Sequence, residues 1–320
     1  MPRWPVPTIG LCLALALGAC AAAPERWAHS AGTAHPLTGQ IYRVADGAVL
    51  SEAELIADAA DADFVLIGAR HDNLDHHRLQ ARVVGALERD PGQPRALTFG
   101  TIGVDRQLAI VEYLDRHPGD AAGLDAALDW PAGGGPAWAL YEPVAQAALA
   151  NGGQIIAADL DSGQTRAVFE RGPQALRGSF VRRTGLDQGL AASAVDDLRA
   201  ELDDAHCGEA PPEVVAGIYQ VQRARDAMMA DRLAAASGRA GGILIAGNRH
   251  VRTDRGVPWY LARLEPDARI VSIGLLEVQD DVRPPPADLP YDYVWFTPRV
   301  DDREPCAVHD GDLQRLRSSP

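Results

Sequence analysis

The chain contains no lysine, so all 30 of its basic side chains are arginine. This absence reads as a bias of genome composition rather than a functional device. Positive charge is also in deficit: 30 basic residues face 44 acidic ones, for a net charge of −14. Such a chain is a poor partner for nucleic acid and does not draw anions in from a distance. Any anionic ligand must be held by local arginines. Aromatic residues are scarce, at 6%. No Gly-x-Ser-x-Gly segment occurs, which removes the usual nucleophile elbow of a serine hydrolase. No apolar run is long enough to span a bilayer as a helix. Cysteine is limited to Cys12, Cys20, Cys207 and Cys306. Beside them only His206 offers a second metal-binding group, and one neighbour does not make a zinc site.

The two ends of the chain read differently from its middle. Arg3, the apolar stretch Ile9–Leu17 and Gly18-Ala19-Cys20 form a basic start, a short hydrophobic run and a small-residue cleavage site. That is the layout of a secretion signal over residues 1–19. Leu17-Gly18-Ala19-Cys20 resembles the bacterial lipobox, in which the cysteine becomes the lipidated first residue. Acyl chains gain about 0.8 kcal/mol per buried CH₂, so membrane lipid is an expected partner through acylated Cys20. Ala21 stands where an Asp usually retains lipoproteins in the inner membrane. The expected location is therefore the outer membrane, facing the periplasm. Loss of Arg3 with the signal takes the net charge to about −15. Residues 20–38 read as a tether and 307–320 as a C-terminal tail. With Cys12 cleaved and Cys20 acylated, Cys207 and Cys306 remain. An even pair in an oxidising compartment predicts a disulfide between them.

One short signature occurs twice, about 180 residues apart. The first copy runs Phe64-Val65-Leu66-Ile67-Gly68-Ala69-Arg70-His71-Asp72, and the second Ile243-Leu244-Ile245-Ala246-Gly247-Asn248-Arg249-His250, with Asp254 four residues on. Each aliphatic, Gly-ended run reads as a buried parallel strand. Ligands of open α/β sheets bind just past the carboxyl ends of the strands. Two histidines delivered in this way are expected to converge, with Arg252 and Asp254 nearby. The plainer alternative is that each histidine only closes its own strand.

Around and between these copies the pattern alternates. Ser51-Glu52-Ala53-Glu54 is a capping box that opens a helix to about residue 62. A strand over 63–69 is followed by helix 74–88, strand 95–99, helix 105–116, helix 139–150 and strand 154–158. A helical segment over about 163–239 contains long helices over 186–202 and 213–236 and reads as an insertion covering one side of the sheet. Strand 242–247, helix 257–264 and strand 269–276 follow. The prolines at 284–286 break the chain before an aromatic strand over 291–296, expected at an edge. This alternation predicts an α/β fold with a mainly parallel sheet flanked by helices, spanning residues 39–306.

Several stretches carry a family likeness in the expected order: Leu66–Gln80, Trp138–Pro143, Ile155–Ala158, His206–Gly208, Gln222–Ala230 and Ala246–Pro258. Over residues 39 to 306 the chain resembles the ChaN-type lipoproteins of the Tiki/EreA/ChaN superfamily. The resemblance implies haem as cofactor, iron acquisition as role, haem transport components as partners and a homodimer as a candidate assembly. Three departures stand out. Ala69 replaces the Glu of the usual Gly-Glu-x-His, Gly100 stands where relatives carry a Glu, and Asp159 replaces an Asn.

Haem binding needs an axial His or Tyr, an apolar slot and cations for the propionates. The residue types present supply candidates: His71 and His250 as ligands, Tyr141 and Tyr260 as alternative ligands, and Arg252, with Arg70 and Arg249, for carboxylates. Trp259 is a candidate for stacking on a porphyrin face. For Tyr141, Trp259 and Tyr260 a core or rim position is the competing reading. Met228 and Met229 read as packing residues. His76 and His77 open a helix, where neighbours diverge, so one is expected to face the site and the other solvent. The alternative chemistry is metal-dependent hydrolysis with a divalent ion on His71 and His250. It needs a further ligand and a carboxylate base, and Ala69 and Gly100 occupy the usual acidic positions. A chain without those carboxylates is expected not to be an enzyme. A third reading is a non-catalytic envelope scaffold.

Overall fold

The computed structural model describes residues 27–87, 94–130, 137–238, 240–281 and 287–302. The strands among them are β1 (Ile41–Arg43), β2 (Ala48–Leu50), β3 (Phe64–Ala69), β4 (Ala96–Gly103), β5 (Ile155–Asp159), β6 (Gly242–Gly247), β7 (Ile270–Glu277) and β8 (Tyr293–Thr297). They join one sheet in the order β2-β1-β8-β7-β3-β6-β4-β5. The β1–β2 and β1–β8 pairs are antiparallel, and the rest of the sheet is parallel. The fold is thus α/β, with a mainly parallel sheet flanked by helices.

The two signature strands are neighbours. β3 pairs with β6 in register from Phe64↔Gly242 to Ala69↔Gly247, and every residue of both is buried. Burial on both faces is why these runs are continuously aliphatic rather than alternating. One face packs against α2 (Leu74–Ala86) and α5 (Trp138–Ala150), through residues such as Leu79, Val83 and Val144. The other packs against α9 (Pro212–Ala236) and α10 (Val257–Leu264), through Ala227, Met229, Leu233 and Leu261. The chain therefore leaves β3 towards one face and β6 towards the other. Adjacent strands that diverge in this way open a crevice at their carboxyl ends.

Several expectations are corrected. The strand at 293–297 is not at an edge: β8 lies between β1 and β7. It is covered by the β1–β2 hairpin, whose Asp46-Gly47 turn places Gly47 at φ +68°. The helical segment is four α-helices: α6 (Ser162–Arg171), α7 (Gly178–Thr184), α8 (Ala192–Ala205) and α9. The helix expected from residue 186 begins at Ala192, because Gly185 in the left-handed region (φ +72°) ends α7. Residues 27–38, assigned to the tether, pack on the domain. The amides of Ala28 and His29 donate to Asp75, and Leu37 is buried. The signal, Cys20, Cys306 and the tail lie outside the described residues, as do the 132–136 loop and the prolines at 284–286. No helix among the described residues is long and apolar enough to cross a membrane.

Candidate functional site

The two Gly-x-x-His copies interlock. A Cβ on Gly68, in the first copy, would come within 2.5 Å of Asn248 Oδ1 and of Val251 Cγ2, both beside the second copy. A Cβ on Gly247, in the second copy, would lie 3.0 Å from His71 Nε2 and 3.6 Å from His250 Cδ2. Each glycine makes room for residues from the other copy, and the two imidazoles meet at Gly247. The expected convergence of His71 and His250 is what the geometry shows. Their surroundings differ, however.

His71 lies on the wall of a cavity of about 710 Å³ above the carboxyl ends of β4 and β5. Its Nδ1 is 3.0 Å from the Tyr141 hydroxyl, and Tyr141 lines the same cavity. Burial, aided by the charges of His250 and His77, lowers the His71 pKa to about 4, so the ring is neutral at neutral pH. Burial raises that of the Tyr141 phenol. A neutral imidazole and a protonated phenol make one hydrogen bond here, with the phenol donating to Nδ1 in the tautomer that carries its proton on Nε2 and accepting from Nδ1 in the other.

The rest of the wall combines apolar and aromatic side chains, Ile102, Leu128, Trp130, Leu160 and Phe169, with the cations Arg106, Arg166 and Arg225 and the carboxylates Asp105, Asp129, Asp159 and Asp161. Trp130 packs against Trp138 at 5.2 Å and Tyr141 at 5.4 Å, and His77 meets Tyr141 edge-on at 4.5 Å. Arg225 grips Asp159 with two nitrogens, at 2.8 and 2.5 Å. Arg106 pairs with Asp129 at 3.0 Å.

His250 is outside the cavity wall. Its Nδ1 is 2.6 Å from Asp226 Oδ1 and 2.9 Å from Gln222 Nε2. Burial raises the pKa of Asp226 far above the usual carboxylate range and lowers that of His250 to about 3. Both shifts favour a neutral pair in which one proton is shared between carboxyl and imidazole. Gln222 and Asp226 lie one helical turn apart on α9, and the Gln222–Ala230 stretch was noticed in the sequence without a role for either. Their i, i+4 spacing before Gly-x-x-His was the available signal.

The other candidates sit elsewhere. Tyr260 is fully buried, and its hydroxyl accepts from Arg223 Nε at 3.1 Å, so it is a core residue. Arg252 is held by Asp254 and Glu201, and Arg70 by Asp72 and Glu277. Arg263 lies over the Trp259 ring at 3.2 Å, occupying the face offered to a porphyrin. His76 and His77 are both fully buried, against the expectation that one faces solvent. His76 Nδ1 accepts from the Arg70 amide and its Nε2 donates to Thr297 Oγ1; His77 Nε2 donates to the His71 carbonyl. These two rings pin the turn that carries His71. Met228 and Met229 are packing residues, as expected.

The missing carboxylates have a steric counterpart. A Cβ on Gly100 would lie 2.7 Å from Met229 Sδ and 2.9 Å from Ala246 Cβ, so no acidic side chain fits there. Among the described residues, no three His, Cys, Asp or Glu side chains are grouped to hold a metal ion. Metal-dependent hydrolysis through His71 and His250 is therefore not favoured.

The molecule is an α/β protein with a ligand-sized cavity at the carboxyl ends of its parallel strands. The family model described as haem-binding uptake, Tiki superfamily, ChaN matches residues 55–261, and the chain belongs to that family. The solved structure of cofacial haem binding to ChaN of Campylobacter jejuni has a TM-score of 0.65 at 20% identity, covering 80% of this chain and 95% of that one. This likeness shows a shared fold. The type III effector HopBA1 is also similar, with a TM-score of 0.43 at 15% identity over 82% of this chain and 99% of that one, too distant to bear on function. No curated protein matches.

Proposed function

We propose that this protein binds haem in the 710 Å³ cavity and serves iron acquisition, held to the outer membrane through acylated Cys20 and facing the periplasm. The observation that carries the reading is the hydrogen-bonded Tyr141–His71 pair on an aromatic wall, within a family described as haem-binding. The residues present fit the group. The volume falls within the range of about 300–1,000 Å³ usual for cofactor sites. The wall offers a phenol, apolar side chains and three arginines, of which Arg106 and Arg225 already pair with the lining carboxylates Asp129 and Asp159 and Arg166 suits a further carboxylate.

Tyr141 is the residue that would hold the iron. Its hydroxyl lies 3.0 Å from the neutral His71 imidazole, which would orient the phenol oxygen through a hydrogen bond at Nδ1. His71 would thereby position Tyr141, with its Nε2 turned to Gly247. Arg166 would hold a propionate, while Arg106 stays paired with Asp129 and Arg225 with Asp159. Bound haem supplies the iron that is carried, and the surrounding rings exclude water from it. Titrating haem into the full-length protein and following the Soret band tests the reading.

A further inference from the structure

Away from the cavity, three guanidinium groups converge on one carboxylate. Arg252 Nη1 is 3.0 Å from Glu201 Oε1, Arg255 Nη2 is 2.5 Å from the same oxygen, and Arg249 Nε is 3.8 Å from Oε2. None of the three arginines lines the cavity. Asp254 takes the remaining edge of Arg252, at 3.0 and 2.7 Å. Three cations thus face two carboxylates, leaving one positive charge in excess. Arg255 is the least satisfied. Its side chain is 2% exposed, and neither terminal nitrogen has a properly aimed hydrogen bond, despite the nearby Glu201 oxygen. A buried guanidinium in that state carries a desolvation cost that a single carboxylate at poor angles does not offset.

The carboxylate comes from an element that is loosely tied to the body. Glu201 lies on α8, whose buried residues Leu198 and Leu202 pack with Tyr219 of α9 in a small cluster separate from the two main cores. Glu201 and Arg249 are partly open, at 34% and 45% side-chain exposure, so the cluster is reached from solvent.

We propose that Arg249, Arg252 and Arg255 form a binding site for a ligand bearing an oxyanion, either a phosphate or a carboxylate, which Glu201 fills from within the chain. Guanidinium forks match planar and tetrahedral oxyanions bidentately. A group with more oxygens than Glu201 offers gives Arg255 the acceptors it lacks. Glu201 then competes with the external ligand, and its release frees α8 from the body. This site is independent of haem binding.

The test is calorimetric titration of the full-length protein with inorganic phosphate and, separately, with succinate, in wild type, Glu201→Gln and the double variant Glu201→Gln/Arg252→Lys. Removing the internal competitor should tighten binding of one or both anions by roughly tenfold, the scale of one charge-assisted contact. Tightening for phosphate alone assigns a phosphate ligand; tightening for succinate assigns a carboxylate. The Lys variant, which keeps the charge but loses the fork, should weaken that binding again. If Glu201→Gln does not fold, Glu201→Asp withdraws the carboxylate by one methylene and should give the same direction of change. Equal affinities in wild type and Glu201 variants, no binding of either anion, or indifference to Arg252→Lys would overturn the proposal.

Discussion

Gly247 sets how closely the two signature turns approach. A methyl there would press on His71 Nε2 at 3.0 Å and force the imidazole away from Tyr141. Gly247→Ala is expected to weaken haem binding by roughly tenfold, about 1.4 kcal/mol, while leaving the fold intact. Unchanged affinity in an absorption titration would show that the His71 position is not needed. The same residues predict an acid sensitivity. His71 titrates near 4 in the folded chain against an ordinary 6.5, mainly through burial, and burial lowers His76 and His77 too. Between those values the unfolded chain binds protons that the folded one refuses, so stability falls as pH drops through the window. The thermal midpoint should be lower at pH 5 than at pH 7; a flat or inverted profile would contradict the buried neutral histidines. At this scale the sequence brought His71 and His250 together, because the strand-Gly-x-x-His pattern is local. It did not separate His71 from His250, because their difference lies in Asp226 and Gln222, brought in by a distant helix.

Among the elements, α2 matters most, because its first turn fixes the His71 loop. Asn73 caps it: Oδ1 accepts from the amides of Asp75 and His76, and Nδ2 donates to Glu277 and to the Pro298 carbonyl. His29 adds a further acceptor for the Leu74 amide. Asn73→Ala should cost about 2 kcal/mol, combining a lost cap with unpaired buried partners. Urea unfolding measures it, and a loss within error of zero would mean that the cap is redundant. The parallel strands and the Ser51 capping box were legible, since burial and local hydrogen bonding write themselves into periodicity and spacing. The place of β8 was not. It depends on the three-residue strands β1 and β2, too short to carry a period, although Asp46-Gly47 between them was a turn signal.

At the scale of the whole molecule, a chain this acidic does not draw an anionic ligand by its overall field, so the proposed haem would rely on local arginines. The proposed anchor is equally local. Cys20→Ser should move the protein from the membrane fraction to the soluble periplasm, because the proposed acyl chains would supply the membrane affinity; continued sedimentation with membranes and unchanged lipid labelling would refute it. The central claim is that Tyr141, backed by His71, holds haem in this cavity. The most direct measurement is a haem titration of the full-length protein, read at the Soret band, in wild type, Tyr141→Phe, His71→Ala and Tyr260→Phe. Tyr141→Phe should erase the wild-type band position and most of the affinity. His71→Ala should shift the band and weaken binding, and Tyr260→Phe should match wild type. A Tyr141→Phe spectrum and affinity identical to wild type would contradict the account.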